Sequence, residues 1–387
     1  MFIVDGNALV QAISAAQKVI GKEPTLVLSH SPERSNCLML RGYSNDGRYI
    51  THEFPVSKVE GKFRFGVPAD RLVPVASKRA ALQFTPPGKG GGTLQYAAVS
   101  SSYKGHIETL EIKPAEFPKV DAASAKAMSS TLKLAIFDLF DKVALSPMFA
   151  NSKDMVLFVE IVDGIVRVAS ADNFHAAMAE SIPSDKKKGD KKPSSHTFPF
   201  RYISLISSVF SKSSNLRMLL DAAHLHVFDE STTISLPLMD LSSEGATMDG
   251  IKQYFKSFDK KDAVSTFEVD VDDIKLCLTN TSGIRDVEKS SELHMRVANT
   301  QLQLRMESKH GSISDEVSLK NSAEKATMRL EPNTIEDLLA RVDGIARVRL
   351  FIESGKKGAE RRHIVIEKNT DNYRAVYLAV GVVEAVK

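Results

Sequence analysis

His224 and His226 stand two apart in the run His224–Phe228, which reads as a strand. Alternate strand residues share a face, so two imidazoles at this spacing could offer nitrogens to one metal ion. No third ligand lies nearby in the sequence, and a solvated or hydrogen-bonded pair is the simpler expectation; no metal site is assigned. The carboxylates Asp272-Asp273 and Asp138/Asp141 could serve acid–base chemistry, but they fall in helical patterns where capping and solvation account for them. The run Pro86-Pro87-Gly88-Lys89-Gly90-Gly91-Gly92 lacks the glycine spacing and the Lys-Ser/Thr ending of a phosphate-binding loop, and is expected to be a flexible connection. Gly-x-Ser-x-Gly, His-Glu-x-x-His and dinucleotide fingerprints are all missing. The chain is therefore expected not to be an enzyme and to use no cofactor.

The other available chemistry is charge. Over 387 residues the net charge is only +3, with 43% hydrophobic and 26% charged residues, so placement of the basic side chains matters more than their sum. Cys37 and Cys277 are too few and too distant for a disulfide framework, which suits a reducing compartment. Met1-Phe2-Ile3-Val4-Asp5 is unlike the basic start of an export signal, and no apolar run approaches a membrane span. A cytoplasmic protein without a membrane partner is expected.

The elements that position these charges repeat along the chain. Phe65-Gly66-Val67-Pro68-Ala69-Asp70-Arg71-Leu72 runs from an apolar strand end through a proline into a helix expected to reach about Ala80. Phe198-Pro199-Phe200-Arg201 and Leu330-Glu331-Pro332-Asn333 open similar helices, and the three prolines stand 131 and 133 residues apart. Proline suits a first helical turn because its missing N–H would have had no intrahelical partner. Near-equal spacing marks a repeated unit. Each such helix follows an earlier one. Asp5 and Asp270, 265 residues apart, are placed to cap the first and third of these, and the second is expected over Ser124 to about Val143.

In the first helix Leu9, Ile13, Ala16 and Ile20 make an apolar face, leaving Asn7, Gln11, Ser14 and Lys18 polar. Strands are expected at Leu26–Ser29, Cys37–Leu40, Ile50–Phe54, Lys62–Phe65, Thr93–Val99 and Ile107–Ile112. The second unit has an apolar stripe of Met128, Leu132, Ala135, Leu139, Phe140 and Val143, with Lys126, Lys133 and Lys142 polar. Strands Met155–Val162 and Ile165–Ser170 join at Asp163-Gly164, a hairpin signal. The lysine-rich stretch 184–193 reads as a surface loop. Strands Arg217–Leu220, His224–Phe228 and Thr233–Leu238 follow, and Leu241–Lys261 reads as a polar connector. The third unit has Ile274, Leu276, Cys277 and Leu278 on its first helix, then strands at Leu293–Ala298, Gln301–Glu307 and Ile313–Leu319. Its Pro332 helix carries Glu331, Glu336 and Asp337, and three strands follow at Arg347–Glu353, His363–Glu367 and Ala375–Val383. The expected class is α+β, with three tandem domains at 1–121, 122–250 and 251–387, each built as helix, strands, helix, strands.

Three such units, together with Pro24-Thr25-Leu26, Phe65-Gly66-Val67-Pro68-Ala69, Glu116-Phe117-Pro118-Lys119-Val120-Asp121 and Tyr377-Leu378-Ala379-Val380, resemble the bacterial-type DNA sliding clamp, the β subunit of the replicative polymerase. The resemblance spans nearly the whole chain. It implies a head-to-tail homodimer whose six domains close a ring, with helices inside and sheets outside, and partners that include double-stranded DNA, a DNA polymerase and the clamp loader. The DNA-facing side chains would be Lys18, Lys22, Arg71, Lys78, Arg79, Lys126, Lys133, Arg201, Lys212, Lys275 and Arg285. Loose phosphate contacts from these would attract DNA without regard to sequence, while closure of the ring retains it.

The resemblance further implies a peptide groove between the second and third domains. It would be lined by Ala171, Asp172, Phe174 and His175, by Tyr254 and Phe255, and by Tyr377, Val380 and Val382. Here the chain departs from the family: Thr-Asp-Gly-His-Arg-Leu becomes Ala171-Asp172-Asn173-Phe174-His175-Ala176, and a closing Met-Pro-Met-Arg-Leu becomes Val380-Gly381-Val382-Val383 with Glu384–Lys387 added. Such divergence suits a phage-encoded or otherwise distant clamp, acting in the host cytoplasm in the former case. The ring interface would join Tyr103–Ile107 to Thr279–Ile284. A reading from another class is a clamp-fold interaction scaffold that does not encircle DNA, for which the altered groove and the acidic Pro332 helix speak.

Overall fold

The computed structural model describes residues 1–21, 25–31, 34–77, 81–88, 92–110, 126–128, 130–145, 155–182, 194–211, 213–220, 223–237, 247–282, 292–309, 311–354 and 360–383. Strand β1 (Phe2–Asp5) enters helix α1 (Gly6–Ile20), where the Asp5 carboxylate accepts from the Ala8 amide at 3.0 Å. That bond satisfies one of the orphan donors of the first turn. Leu9, Ile13, Ala16 and Ile20 are buried and Asn7, Gln11, Ser14 and Lys18 exposed, as the periodicity predicts. Next come β2 (Thr25–His30), β3 (Cys37–Tyr43), β4 (Tyr49–Pro55), β5 (Lys58–Val59) and β6 (Arg64–Pro68), then α2 (Ala69–Ala76). Pro68 is the N-cap of α2, which ends at Ala76 rather than extending toward Ala80. Strands β7 (Ala81–Thr85), β8 (Thr93–Ala98) and β9 (Lys104–Glu108) follow.

The second stretch begins with β10 (Lys126–Ala127), which corrects the expected helix start at Ser124: Lys126 pairs with Met218 in a sheet and is not on a helix. Helix α3 (Ser130–Lys133) runs through a π-helical segment, Leu134–Leu139, into α4 (Phe140–Val143). Then come β11 (Val156–Val162), β12 (Ile165–Ala171), β13 (His175–Ser181), β14 (Ser194–Pro199), α5 (Phe200–Phe210), β15 (Arg217–Leu220), β16 (His224–Phe228) and β17 (Thr232–Pro237). The Asp163-Gly164 hairpin is present, with φ of 52° and 80° at its two residues. Both values are left-handed, the requirement of a two-residue turn whose twist matches its strands.

The expected polar connector is another correction. Met248–Asp259 forms helix α6, whose N-cap Thr247 accepts from the Gly250 amide at 3.0 Å. Met248, Ile251, Phe255 and Phe258 make its buried face. The expected 250/251 boundary falls inside this helix. Strand β18 (Ser265–Asp270) leads to α7 (Val271–Thr281), capped by Asp270 through the Asp272 amide at 3.1 Å. Leu276, expected on its apolar face, is 60% exposed. The two strands expected at 293–307 are one, β19 (Glu292–Ser308), bent where Asn299 takes φ 54°. It pairs with β20 (Gly311–Leu330), which leads to α8 (Pro332–Leu339) with the proline in its first turn. Strands β21 (Ile345–Ser354), β22 (Glu360–Asn369) and β23 (Tyr373–Val383) complete the described chain.

Two compact units result: Met1–Met128 with Ser204–Asp240, and Ser129–Ile203 with Leu241–Lys387. The first holds a sheet ordered β5-β1-β7-β8-β9 and another ordered β10-β15-β16-β17-β4-β3-β2-β6. The second holds the sheet β14-β11-β12-β13-β23-β22-β21-β18-β20-β19. These units cut across the three sequence repeats because two sheets are continuous through the seams. In the first unit β17 pairs with β4, with Ile234 opposite Ile50; in the second β13 pairs with β23, with Ala177 opposite Tyr377. Backbone groups that would form exposed sheet edges in an isolated repeat are thereby paired.

Candidate nucleic-acid interface and peptide groove

The expected DNA-facing residues have different environments. Lys18 is exposed near the end of α1 and donates to the Ser208 carbonyl at 3.1 Å. Arg71, in the first turn of α2, is exposed and 3.7 Å from the Glu108 carboxylate. Lys126 is exposed on β10, and Lys133 is half-buried at the end of α3. Arg201 lies over the Tyr202 ring at 5.0 Å and donates to its hydroxyl at 3.4 Å. Lys275 is held most firmly, donating to the Val342 carbonyl at 2.5 Å, with Asp272 3.4 Å away. An ammonium used in this way ties α7 to the end of α8 and has less to offer a phosphate. Lys22, Lys78, Arg79, Lys212 and Arg285 lie outside the described residues.

The helices themselves are close to charge-balanced. Lys18, Arg71, Lys133, Lys142, Arg201 and Lys275 share them with Asp70, Asp138, Asp141, Asp272, Asp273, Glu336 and Asp337. A surplus of positive charge sits in the segments that follow α2 and α5, where Lys78, Arg79 and Lys212 occur, whereas Lys22 after α1 is balanced by Glu23, and Arg285 and Lys289 after α7 by Asp286 and Glu288. Asp337 lies on the helix opened by Pro332. Burial pushes its carboxyl above the ordinary range, and Glu336 and Glu331 add to the shift against an opposing contribution from His175.

The groove residues form a connected region around the β13–β23 seam, but they do not all face one way. Helix α6 lies on one sheet face, where Phe255 and Phe258 pack with Ala169, Ala176, Phe351, Val365 and Leu378. Ala171 and Val380 border this cluster and Phe255 is itself core, 7% exposed. Removing one such phenyl ring from water contributes about 1.5–3 kcal/mol. Phe174 and Tyr254 remain at the rim, 54% and 40% exposed, and the Val380 amide donates to the Phe174 carbonyl at 2.8 Å. The Tyr254 ring meets Phe258 edge-on at 5.4 Å. Burial raises the Tyr254 phenol above its ordinary pKa, with the Glu353 charge acting in the same direction.

Tyr377 is the exception. It alternates with Val376 and Leu378 along β23, so it points away from Phe255, and it is fully buried. Burial drives its phenol far above the ordinary value. It is therefore core on the other side of the sheet, which corrects its expected place in the groove. His175 has the same parity relative to Ala176. Asp172 organises the turn before it, accepting from the amides of Phe174 at 2.7 Å and His175 at 2.6 Å and lying 3.2 Å from His175 Nδ1. Burial opposes the Asp172 charge, but these hydrogen bonds outweigh it and hold the carboxyl below its usual range. Val382 is in β23, at the position two beyond Val380.

Several residues unread in the sequence hold α6 in place. Lys252 pairs with Glu160 of β11, and Lys261 with Glu353 of β21. Arg349 donates to the Phe258 carbonyl at 3.3 Å and to Asp259 at 3.4 Å. His363 is buried between Phe258, 5.2 Å between ring centroids, and Glu353, 3.3 Å from Nε2; burial lowers its pKa despite the carboxylate. Among the described residues no group of three or more metal-ligating side chains forms. His226 Nδ1 instead pairs with the Ser235 hydroxyl at 2.7 Å.

No protein-family model and no curated protein matches the chain. Solved structures do. The DNA polymerase III β subunit of Thermotoga maritima aligns over 100% of this chain and 99% of its own, with a TM-score of 0.72 and 15% identity. The DNA polymerase sliding clamp of Bacillus subtilis aligns over 100% and 99%, with a TM-score of 0.74 and 12% identity. The β subunit of Pseudomonas aeruginosa aligns over 98% and 99%, with a TM-score of 0.72 and 14% identity. From end to end, the chain has the α+β fold of the three-domain DNA polymerase III β subunit, the bacterial sliding clamp.

Proposed function

We propose that this chain is a DNA polymerase processivity factor, two copies of which join head to tail in a ring around duplex DNA. The observation that carries the reading is a clamp fold matched over the full chain, rather than over one repeat. Three domains, divided near 121 and 250, would supply half of the six that close the ring. The near-balance of charge on the helices supports a sliding role, since a strongly basic wall would grip phosphates where a topological link needs only weak attraction. Lys78, Arg79 and Lys212, in the segments after α2 and α5, would then provide most of that attraction.

Each of the two compact units offers a sheet edge. Strand β9 ends the five-stranded sheet and β19 ends the ten-stranded one. An unpaired edge is a template for another chain. Near them, Tyr103 is 37% exposed and Leu276 60% exposed, apolar surface that a head-to-tail interface between Tyr103–Ile107 and the Thr279–Ile284 region would cover. The polymerase and clamp loader would dock on the outer sheet face beside α6. The site of action is the replication site in the cytoplasm, or in the host cytoplasm for a phage-encoded protein; low identity to cellular clamps and the altered groove favour the latter.

A second reading, a clamp-fold scaffold that does not encircle DNA, is favoured by one observation: Glu336 and Asp337 on α8, with Lys275 already engaged. Sedimentation at micromolar concentration tests assembly, with a two-chain species expected. Retention on closed circular DNA with release on cutting separates ring from scaffold.

A further inference from the structure

Helix α6 closes over a histidine. His363 stands on β22 opposite Phe351 of β21 and Val380 of β23, on the sheet face that α6 covers, and only 3% of it is exposed. The Phe258 ring meets the imidazole at an angle, 5.2 Å between centroids. Nε2 lies 3.3 Å from Glu353 Oε2, and Nδ1 is buried with no hydrogen-bond partner among the described residues. Glu353 is divided between two elements. Its other oxygen, Oε1, accepts from the Lys261 ammonium just beyond the end of α6, and that ammonium also lies over the Phe258 ring at 4.5 Å. The remaining titratable groups on this side are Arg361, in register with Glu353 on β22, and Tyr254, one turn before Phe258. Strand β23 contributes only the apolar Val380. One carboxylate and one imidazole thus fasten the C-terminal end of α6 to β21 and β22.

This fastening suits a neutral ring. With an N–H at Nε2 toward Glu353, Nδ1 carries a lone pair and no proton. A second proton places an N–H donor at Nδ1, where no acceptor lies, and a charge in a site closed to water. Burial accordingly holds the His363 pKa below its ordinary value, with Lys261 and Arg361 acting in the same direction and Glu353 against them.

We propose that His363 is a proton-operated latch: neutral, it seats the C-terminal half of α6 on the sheet, and on taking up a proton it releases that half and exposes its ring to water. All of its parts belong to one compact unit, so the latch works within a single chain whether or not a ring assembles. A lowered pKa in the closed state makes the seat complete above the ordinary histidine value of about 6.5. Its stability is lost as pH falls from there toward the closed-state value.

The test is hydrogen–deuterium exchange of the full chain, read over the C-terminal half of α6 at about pH 7.5 and about pH 5.5, one unit to either side of the ordinary histidine value. After correction for the intrinsic pH dependence of exchange, opening there is expected to rise about three- to ten-fold at the lower pH, because one pH unit is worth at most a factor of about ten per proton. Exchange in α7 should stay constant. His363→Gln, whose amide takes up no proton, should hold exchange over α6 equal at the two pH values. Glu353→Gln keeps the histidine and removes the charge that favours its protonated form, so it should retain or enlarge the rise, and it serves as the test if His363→Gln fails to fold. Three results overturn the latch: exchange over α6 that does not change with pH in the parent, a rise that persists in His363→Gln, or a rise that Glu353→Gln reduces.

Discussion

His52 of β4 and Thr232 of β17 are opposite one another across the seam of the eight-stranded sheet, and their side chains are joined by a 2.8 Å contact between Nδ1 and Oγ1. They are 180 residues apart in the chain. Burial keeps His52 below its ordinary pKa, so it is the neutral ring that the hydroxyl satisfies. Thr232→Val should cost about 1 kcal/mol by leaving that partly buried nitrogen without its partner. Urea denaturation should register the loss as a lower midpoint with unchanged slope; a stability within a few tenths of a kcal/mol of the parent would mean that the seam contact is incidental.

Phe258→Ala and Tyr377→Phe test the two sheet faces. Phe258 is fully buried under α6, and its truncation should cost about 3–5 kcal/mol. The Tyr377 hydroxyl is buried without a hydrogen-bond partner among the described residues, so its removal should be neutral or slightly stabilising. Thermal denaturation reads both. A strongly destabilised Tyr377→Phe variant would reveal a partner for that hydroxyl and contradict its assignment as simple core.

Much of the fold is legible in the sequence and some of it is not, for identifiable reasons. Prolines at positions 68, 199 and 332 mark strand-to-helix junctions because proline costs little at the start of a helix, and Asp5 and Asp270 mark helix starts because their carboxylates cap. Helix α6 is hidden by its lysines and aspartates. Its signal is the three–four–three spacing of Met248, Ile251, Phe255 and Phe258 after a Thr cap. Strand β13 is hidden by its alanines, which have little strand preference and are held there by β12 and β23. The expected groove residues are readable only as a set of segments. Strand parity, which separates Tyr377 from Val380, depends on the register of a pairing between residues about 200 apart in the chain.

Asp337→Asn should stabilise the protein at neutral pH. The folded pKa of Asp337 is raised, so its contribution is fully present below the ordinary carboxylate value of about 3.9 and is lost as pH rises through the higher folded value. An amide carries no such loss. The difference in melting temperature between variant and parent should therefore be positive at pH 7 and shrink below about pH 4. A difference that is constant with pH would show that packing, rather than ionisation, separates the two.

Lys275→Ala and the pair Lys78→Glu with Arg79→Glu should affect DNA attraction differently. Lys275 is committed to the Val342 carbonyl, so its removal should cost about 1 kcal/mol in stability and change DNA affinity little. Reversal at Lys78 and Arg79 should reduce the slope of log affinity against log salt by about two contacts. Equal slopes for all variants would move the DNA-facing charge away from the segment after α2.

The ring itself is tested most directly by reassembling dissociated chains in the presence of closed circular plasmid, then separating bound from free protein by gel filtration at moderate salt. The account predicts co-elution with the circle, loss of that protein when a restriction enzyme linearises it, and no retention on plasmid that was linear from the start. Equal retention on circular and linear DNA, falling away together as salt is raised, would contradict it.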